Sequence, residues 1–216
     1  MKLSRRLAII ASAAALSLTG TVALSPSASA ATGTKSLASV LLADTSGFDH
    51  NKADYDILKA AVLAVLKAKP ASKVGVLTDG NVALTAFLPN DLAFRRLVYS
   101  LTGNWITSER RVFNAVAGLG IPTVEKVLLY HVVPGATVTA AQAVKLDGKY
   151  VRTALGNSFR VKVTHVHGKA VITLVDKDRN ANNPVVVRVN INKGNKQIAH
   201  GLNRVLRPAD LPPLAH

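Results

Sequence analysis

No cysteine occurs among the 216 residues. That absence excludes a thiol nucleophile, a thiolate metal site, a cysteine-linked lipid anchor and any disulfide staple. Acidic residues are scarce as well: 12 Asp and Glu stand against 27 Lys and Arg. No spaced pair of carboxylates stands out for general acid–base work. Aromatic residues make up 5% of the chain and do not interleave with the basic ones, so the stacking pattern of a nucleic-acid binder is missing. The sequence also lacks a G-x-S-x-G elbow, a phosphate-binding glycine loop and an H-E-x-x-H helix. Past residue 31 no run is apolar enough to span a bilayer. Together these absences point away from an enzyme, a cofactor or metal protein, a nucleic-acid binder and an integral membrane protein.

What is present begins at the N-terminus. Lys2, Arg5 and Arg6 precede an apolar run from Leu7 to about Leu18, and a small-residue stretch closes on Ala28-Ser29-Ala30. This is the layout of a secretory signal peptide, residues 1–30, with cleavage expected after Ala30. The remaining 186 residues carry a formal net charge of +12 instead of +15. That length suits one domain with a core large enough to need no covalent staples. An exported basic protein meets polyanions other than nucleic acid first, among them wall polymers, acidic polysaccharides and anionic headgroups. The basic residues are spread along the chain, from Arg95-Arg96 and Arg110-Arg111 to Arg204 and Arg207, which also fits a simply solvated surface.

Hydrophobic periodicity changes along the chain. Over residues 37–145 it is mostly helical: Ile57, Leu58, Ala61, Val62, Val65 and Leu66 form one stripe that Pro70 ends. "LTAFLP" reads as a short strand before a helix capped by Asn90 or Asp91. Thr107 or Ser108 starts a further helix, Pro122 suits a first helical turn, and a short helix is expected over residues 139–144. From about residue 147 the period becomes two. Phe159, Val161 and Val163 alternate with Arg160, Lys162 and Thr164, and Gly168 marks a hairpin turn into "KAVITLV". "VVVRVNI" places Val185, Val187, Val189 and Ile191 on one face, and "GLNRVLRP" is a last strand candidate. Helices first and strands last predict an α+β fold, with N-terminal helices packed on a mostly antiparallel or mixed sheet.

Three constellations could carry chemistry. His165 and His167 in "HVH" fall on the same strand face, so both could reach one metal, with one expected half-buried at the sheet end and the other exposed. Two histidines without a third ligand make a weak metal site. Asp176, Asp178, Asn180 and Asn182 in "DKDRNANNP" occupy calcium-loop positions one, three, five and seven, but Ala181 replaces the loop glycine and Val187 the bidentate glutamate. The competing reading is a polar turn whose Asx side chains bind local amides. Finally, "LLYHVVPG" sets Tyr130 beside His131 inside an apolar run. Adjacent residues point about 100° apart on a helix and to opposite faces on a strand, so a tight acid–base pair is disfavoured. His131 is expected to be largely buried with both ring nitrogens bonded, and Tyr130 to pack its ring and send its hydroxyl to a partner or water.

"LTAFLPNDLAF" (residues 84–94), "LLYHVVPG" and "NKQIAHGLNRVLRP" (residues 195–208) together resemble, in order and spacing, the three conserved boxes of the fasciclin domain. The resemblance covers roughly residues 37–208, leaving residues 31–36 as a short leader and 209–216 as a tail. Lys196 stands where the last box has glycine, and Gly201-Leu202-Asn203 replaces its usual aliphatic-Ile-Asp. The resemblance implies a wedge-like α+β domain and a secreted or cell-wall-associated adhesion role. Its expected partners are an extracellular or cell-surface protein, a carbohydrate or an anionic wall polymer. It implies Tyr130 and His131 as candidate binding residues, and no cofactor. Some family members bind apolar molecules such as carotenoids, so an extracellular carrier of an apolar small ligand is the alternative.

Overall fold

The computed structural model describes residues 33–213. The expected signal peptide lies outside the described residues. Within them the chain forms α1 (Leu37–Leu42), α2 (Asp56–Ala68), a 3₁₀ segment (Lys73–Thr78), β1 (Leu84–Pro89), α3 (Asp91–Thr102), α4 (Glu109–Ala117), α5 (Ile121–Tyr130), β2 (Val132–Pro134), α6 (Ala140–Val144), β3 (Tyr150–Arg152), β4 (Ser158–Val166), β5 (Lys169–Val175), β6 (Val186–Ile191) and β7 (Gln197–Leu202).

The helix starts follow local chemistry. Asn90, Ser108 and Thr139 each accept a backbone amide of the helix they open, satisfying one donor that the first turn leaves free. Thr139 and Gln142 complete a reciprocal capping box. Pro122 sits in the first turn of α5, where its missing N–H costs nothing. Gly103 ends α3 in the left-handed region at φ 74°.

The strands divide into two sheets. One has the order β2-β1-β7-β6 and the other the order β3-β4-β5. β1 and β7 run parallel, from Leu84 opposite Gln197 to Pro89 opposite Leu202; their neighbours β2 and β6 are antiparallel. Every residue of β1 and β7 is buried. Leu84, Ala86 and Leu88 join the core with α2, α3, α4 and α5. Phe87 joins a second core with Phe159, Val161, Ile172 and Leu174 of the three-stranded sheet. The central sheet is thus covered by helices on one face and by a second sheet on the other, which is why "LTAFLP" lacks alternation.

The α+β expectation holds, with three corrections. β1 comes from the helical half, yet it lies at the centre of the sheet. The last strand is residues 197–202, earlier than "GLNRVLRP"; beyond Leu202 the chain turns and buries Val205 and Leu206 as side-chain plugs. β6 does not bury the expected apolar face, since Val187 and Val189 are 55% and 50% exposed. It is an edge strand, and register shifts around Arg188 break its alternation against β7.

Candidate functional site

Tyr130 ends α5 and His131 is its C-cap, so the pair sits where helix turns into strand β2. Both are interior: Tyr130 is 0% and His131 4% exposed. The Tyr130 hydroxyl donates to the Ser158 carbonyl at 3.1 Å, and its ring meets Phe159 edge-on at 6.2 Å. His131 Nδ1 lies 2.7 Å from the Val127 carbonyl, and its Nε2 accepts the Leu206 amide at 2.9 Å. That pattern requires the neutral ring with the proton on Nδ1. Burial pulls the His131 pKa down to about 4 against the opposing pull of the Val127 carbonyl, and burial pushes the Tyr130 hydroxyl up. The pair therefore braces α5, the β4 strand and the C-terminal segment together and presents no open face to a partner.

The space between the sheets, lined by residues such as Phe87, Val138, Phe159, Ile172 and His200, amounts to about 20 Å³. That is the volume of a single water, far below the hundreds of Å³ a small-molecule site needs. His200 fills one side, with Nε2 2.9 Å from the Val138 carbonyl and its ring 5.8 Å from that of Phe87. A larger groove of about 560 Å³ opens to solvent between Lys69–Lys73, Glu125, Leu129 and Leu155.

The Asp176 loop is held by its own amides and an arginine. Asp176 accepts the amides of Asp178 and Arg207; Asp178 accepts those of Asn180 and Ala181 on one oxygen and the Arg207 guanidinium, at 3.0 Å, on the other. All four carboxylate oxygens of the pair are thus engaged by protein donors, and a guanidinium stands where a loop cation would. The "HVH" strand face is also corrected. β4 ends at Val166, and His167 takes φ 48° in a two-residue turn with Gly168. Both histidines are exposed and they do not share a strand face.

Two further groups were not singled out in the sequence. The loop Asp49–Asp56 brings Asp49, Asp54 and Asp56 beside Asp91 and Glu109, the first residues of α3 and α4. In a chain so poor in acids, the run "DHNKADYD" is the available signal. The other group is exposed. Tyr99 and Trp105 are 50% and 51% accessible and pack edge-on, ring centroids 5.8 Å apart, at the C-terminal end of α3. One turn back, Arg96 donates to the Asn203 carbonyl at 2.9 Å. Arg207 reaches the Ser100 hydroxyl, and the guanidiniums of Arg96 and Arg207 add to burial in lowering the pKa of Arg204. Three arginines and two aromatic rings are thus carried by α3, the loop that follows it and the 203–207 segment.

Comparison with known proteins fits this architecture. No curated protein sequence matches the chain. A solved FAS1 domain pair from the insect cell adhesion molecule Fasciclin I superposes with a TM-score of 0.56 at 16% identity, over 81% of this chain and 51% of that one. The chain therefore spans about half the length of that relative, and the likeness is one of fold. The family model of the Fasciclin domain matches residues 59–208, taking in β1, the Tyr130-His131 corner and β7; this chain belongs to the fasciclin-domain family, whose members are adhesion and interaction modules.

Proposed function

We propose that this chain is an extracellular, non-enzymatic interaction module that contacts anionic carbohydrate or wall polymer through the face carrying Tyr99, Trp105, Arg96 and Arg204. The observation that carries the reading is the half-exposed Tyr99–Trp105 pair, in which Tyr99 stands one turn after Arg96 on α3 and Trp105 follows in the loop beyond it. Aromatic rings without a packing partner on their outer side offer apolar faces to sugar rings. Guanidiniums held close enough to disfavour one another's charge gain from an anion placed between them. Fasciclin domains typically work outside the cell, and the expected signal peptide agrees with that. The apolar-carrier alternative has little support, because the interior space is water-sized.

Retention of the full chain on an immobilised phosphate-bearing wall polymer, against a neutral glycan, tests the reading. Binding should be strongest at low ionic strength, where screening is least. Trp105 is the single tryptophan, so its fluorescence should shift on binding. Trp105→Ala and Arg96→Gln should each weaken retention several-fold without loss of fold. Absence of retention at low salt would sink the proposal.

A further inference from the structure

We propose that Asp54, Asp56 and Asp91 form a binding site for a calcium ion where the N-termini of α2 and α3 meet. Each residue offers one carboxylate oxygen, and these oxygens all lie within 4.8 Å of one another. A second triad, Asp49, Asp56 and Glu109, meets the same condition and shares Asp56. Asp56 and Asp91 are 2% and 0% exposed, so their charges are not solvated by bulk water.

Structural roles account for some of these oxygens and leave others bare. Asp91 Oδ1 accepts the Ile57 amide and so caps α2 at 3.0 Å. Asp56 Oδ1 takes Lys59 Nζ at 2.6 Å. Glu109 is fully used, by Arg95 at 2.8 Å on one oxygen and by the amides of Asp49 and His50 on the other. Asp54 Oδ1, Asp56 Oδ2 and Asp91 Oδ2 are buried and have no hydrogen-bond donor. A buried anionic oxygen without a donor is costly, and three of them in one triad call for a shared positive occupant. Helix N-termini favour carboxylates at these positions, but their amides do not reach the three orphaned oxygens.

The donor set selects the ion. It is all oxygen, which disfavours zinc and copper. Oxygens on opposite sides of one calcium ion, at about 2.3–2.6 Å each, stand about 4.6–5.2 Å apart, and the triad fits within that span. Magnesium demands a tighter octahedron and holds its water. Lys59 and Arg95 neutralise only part of the five carboxylates, and exposed Asp49 is placed to add a ligand from the solvent side. The competing occupant is a proton shared between Asp54 and Asp91.

The test uses the full chain, stripped with chelator, in calorimetry at pH 7 with CaCl2 or MgCl2. At 10 mM, CaCl2 should raise Tm by about 3–10 °C, as for a site of extracellular-module affinity, with one calcium per chain by isothermal titration. MgCl2 should do much less. Asp54→Asn should remove the response while keeping a native circular dichroism spectrum, and Asp176→Asn should leave it intact. No shift with CaCl2 would mean a shared proton only and overturn the proposal. An equal response to MgCl2, or a response that survives both Asp54→Asn and Asp56→Asn, would overturn it too.

Discussion

His131 Nε2 accepts the backbone amide of Leu206 at 2.9 Å, tying the end of α5 to the segment that follows the last strand. The other ring nitrogen holds the Val127 carbonyl, so one buried side chain closes two backbone groups. His131→Ala should therefore act on stability. Stranding both groups costs about 1–3 kcal/mol each, which for a domain of this size lowers Tm by roughly 4–24 °C. Thermal denaturation checks this. A variant with unchanged Tm but lost polymer binding would make the residue a contact after all.

The same histidine makes stability fall in acid. Its pKa is about 4 folded and about 6.5 unfolded. The folded pKa is the lower one, so the contribution is complete above pH 6.5 and is lost as pH falls towards 4, by up to about 3 kcal/mol. Asp176 works in the opposite sense: burial raises its pKa to about 6, so the stability that comes with its protonation is present at low pH and is lost as pH rises through 6. The difference between wild type and His131→Leu in urea melts at pH 7, 5.5 and 4.5 separates the two. A constant difference across that range would refute the assignment.

Gln197, 0% exposed, donates to the carbonyls of Val76 and Asp79 at 2.8 Å each and accepts the Leu37 amide at 2.8 Å. Gln197→Glu replaces the donor with an anion facing two carbonyls. We expect a loss of about 3–5 kcal/mol, larger than for Gln197→Ala at pH 7 and partly recovered near pH 5, where the new carboxyl protonates. Chemical denaturation of both variants at the two pH values provides the measurement.

Arg207 and Asp178 are both buried and paired at 3.0 Å. Arg207→Ala leaves the carboxylate without its counter-charge and should cost about 3–5 kcal/mol. Calcium should not restore the loss, because the amides of Asn180 and Ala181 still occupy the other Asp178 oxygen. Restoration of Tm by calcium would revive the calcium-loop reading of this segment.

Much of the fold was legible because its signals are local. Asn90, Ser108, Thr139 and Pro122 each mark a helix start, and Gly168 marks the hairpin; each works within four residues of itself. Partner choice between strands was not legible. β1 reads as a buried strand wherever it is placed, and only tertiary packing pairs it in parallel with β7. The exposure of Val187 and Val189 was hidden for the same reason, since an edge strand with register shifts has the composition of a core one. Asp54, Asp56 and Asp91 look like ordinary loop and first-turn acids in sequence; their convergence exists only once α2 and α3 are docked. Trp105 lies in a loop, where nothing in its neighbours announces that it packs edge-on against Tyr99.

The parallel pairing of β1 with β7 also governs how the chain reaches its structure. The two central strands, Leu84–Pro89 and Gln197–Leu202, lie more than 100 residues apart in sequence, so the helical core must wait for a distant segment before its sheet face is complete. Pairing across so long a sequence separation slows folding relative to local contacts. It also makes the C-terminal strand a keystone: a chain cut before Gln197 loses the parallel partner of β1 and the neighbour of β6, leaving only the β1–β2 pair of the four-stranded sheet.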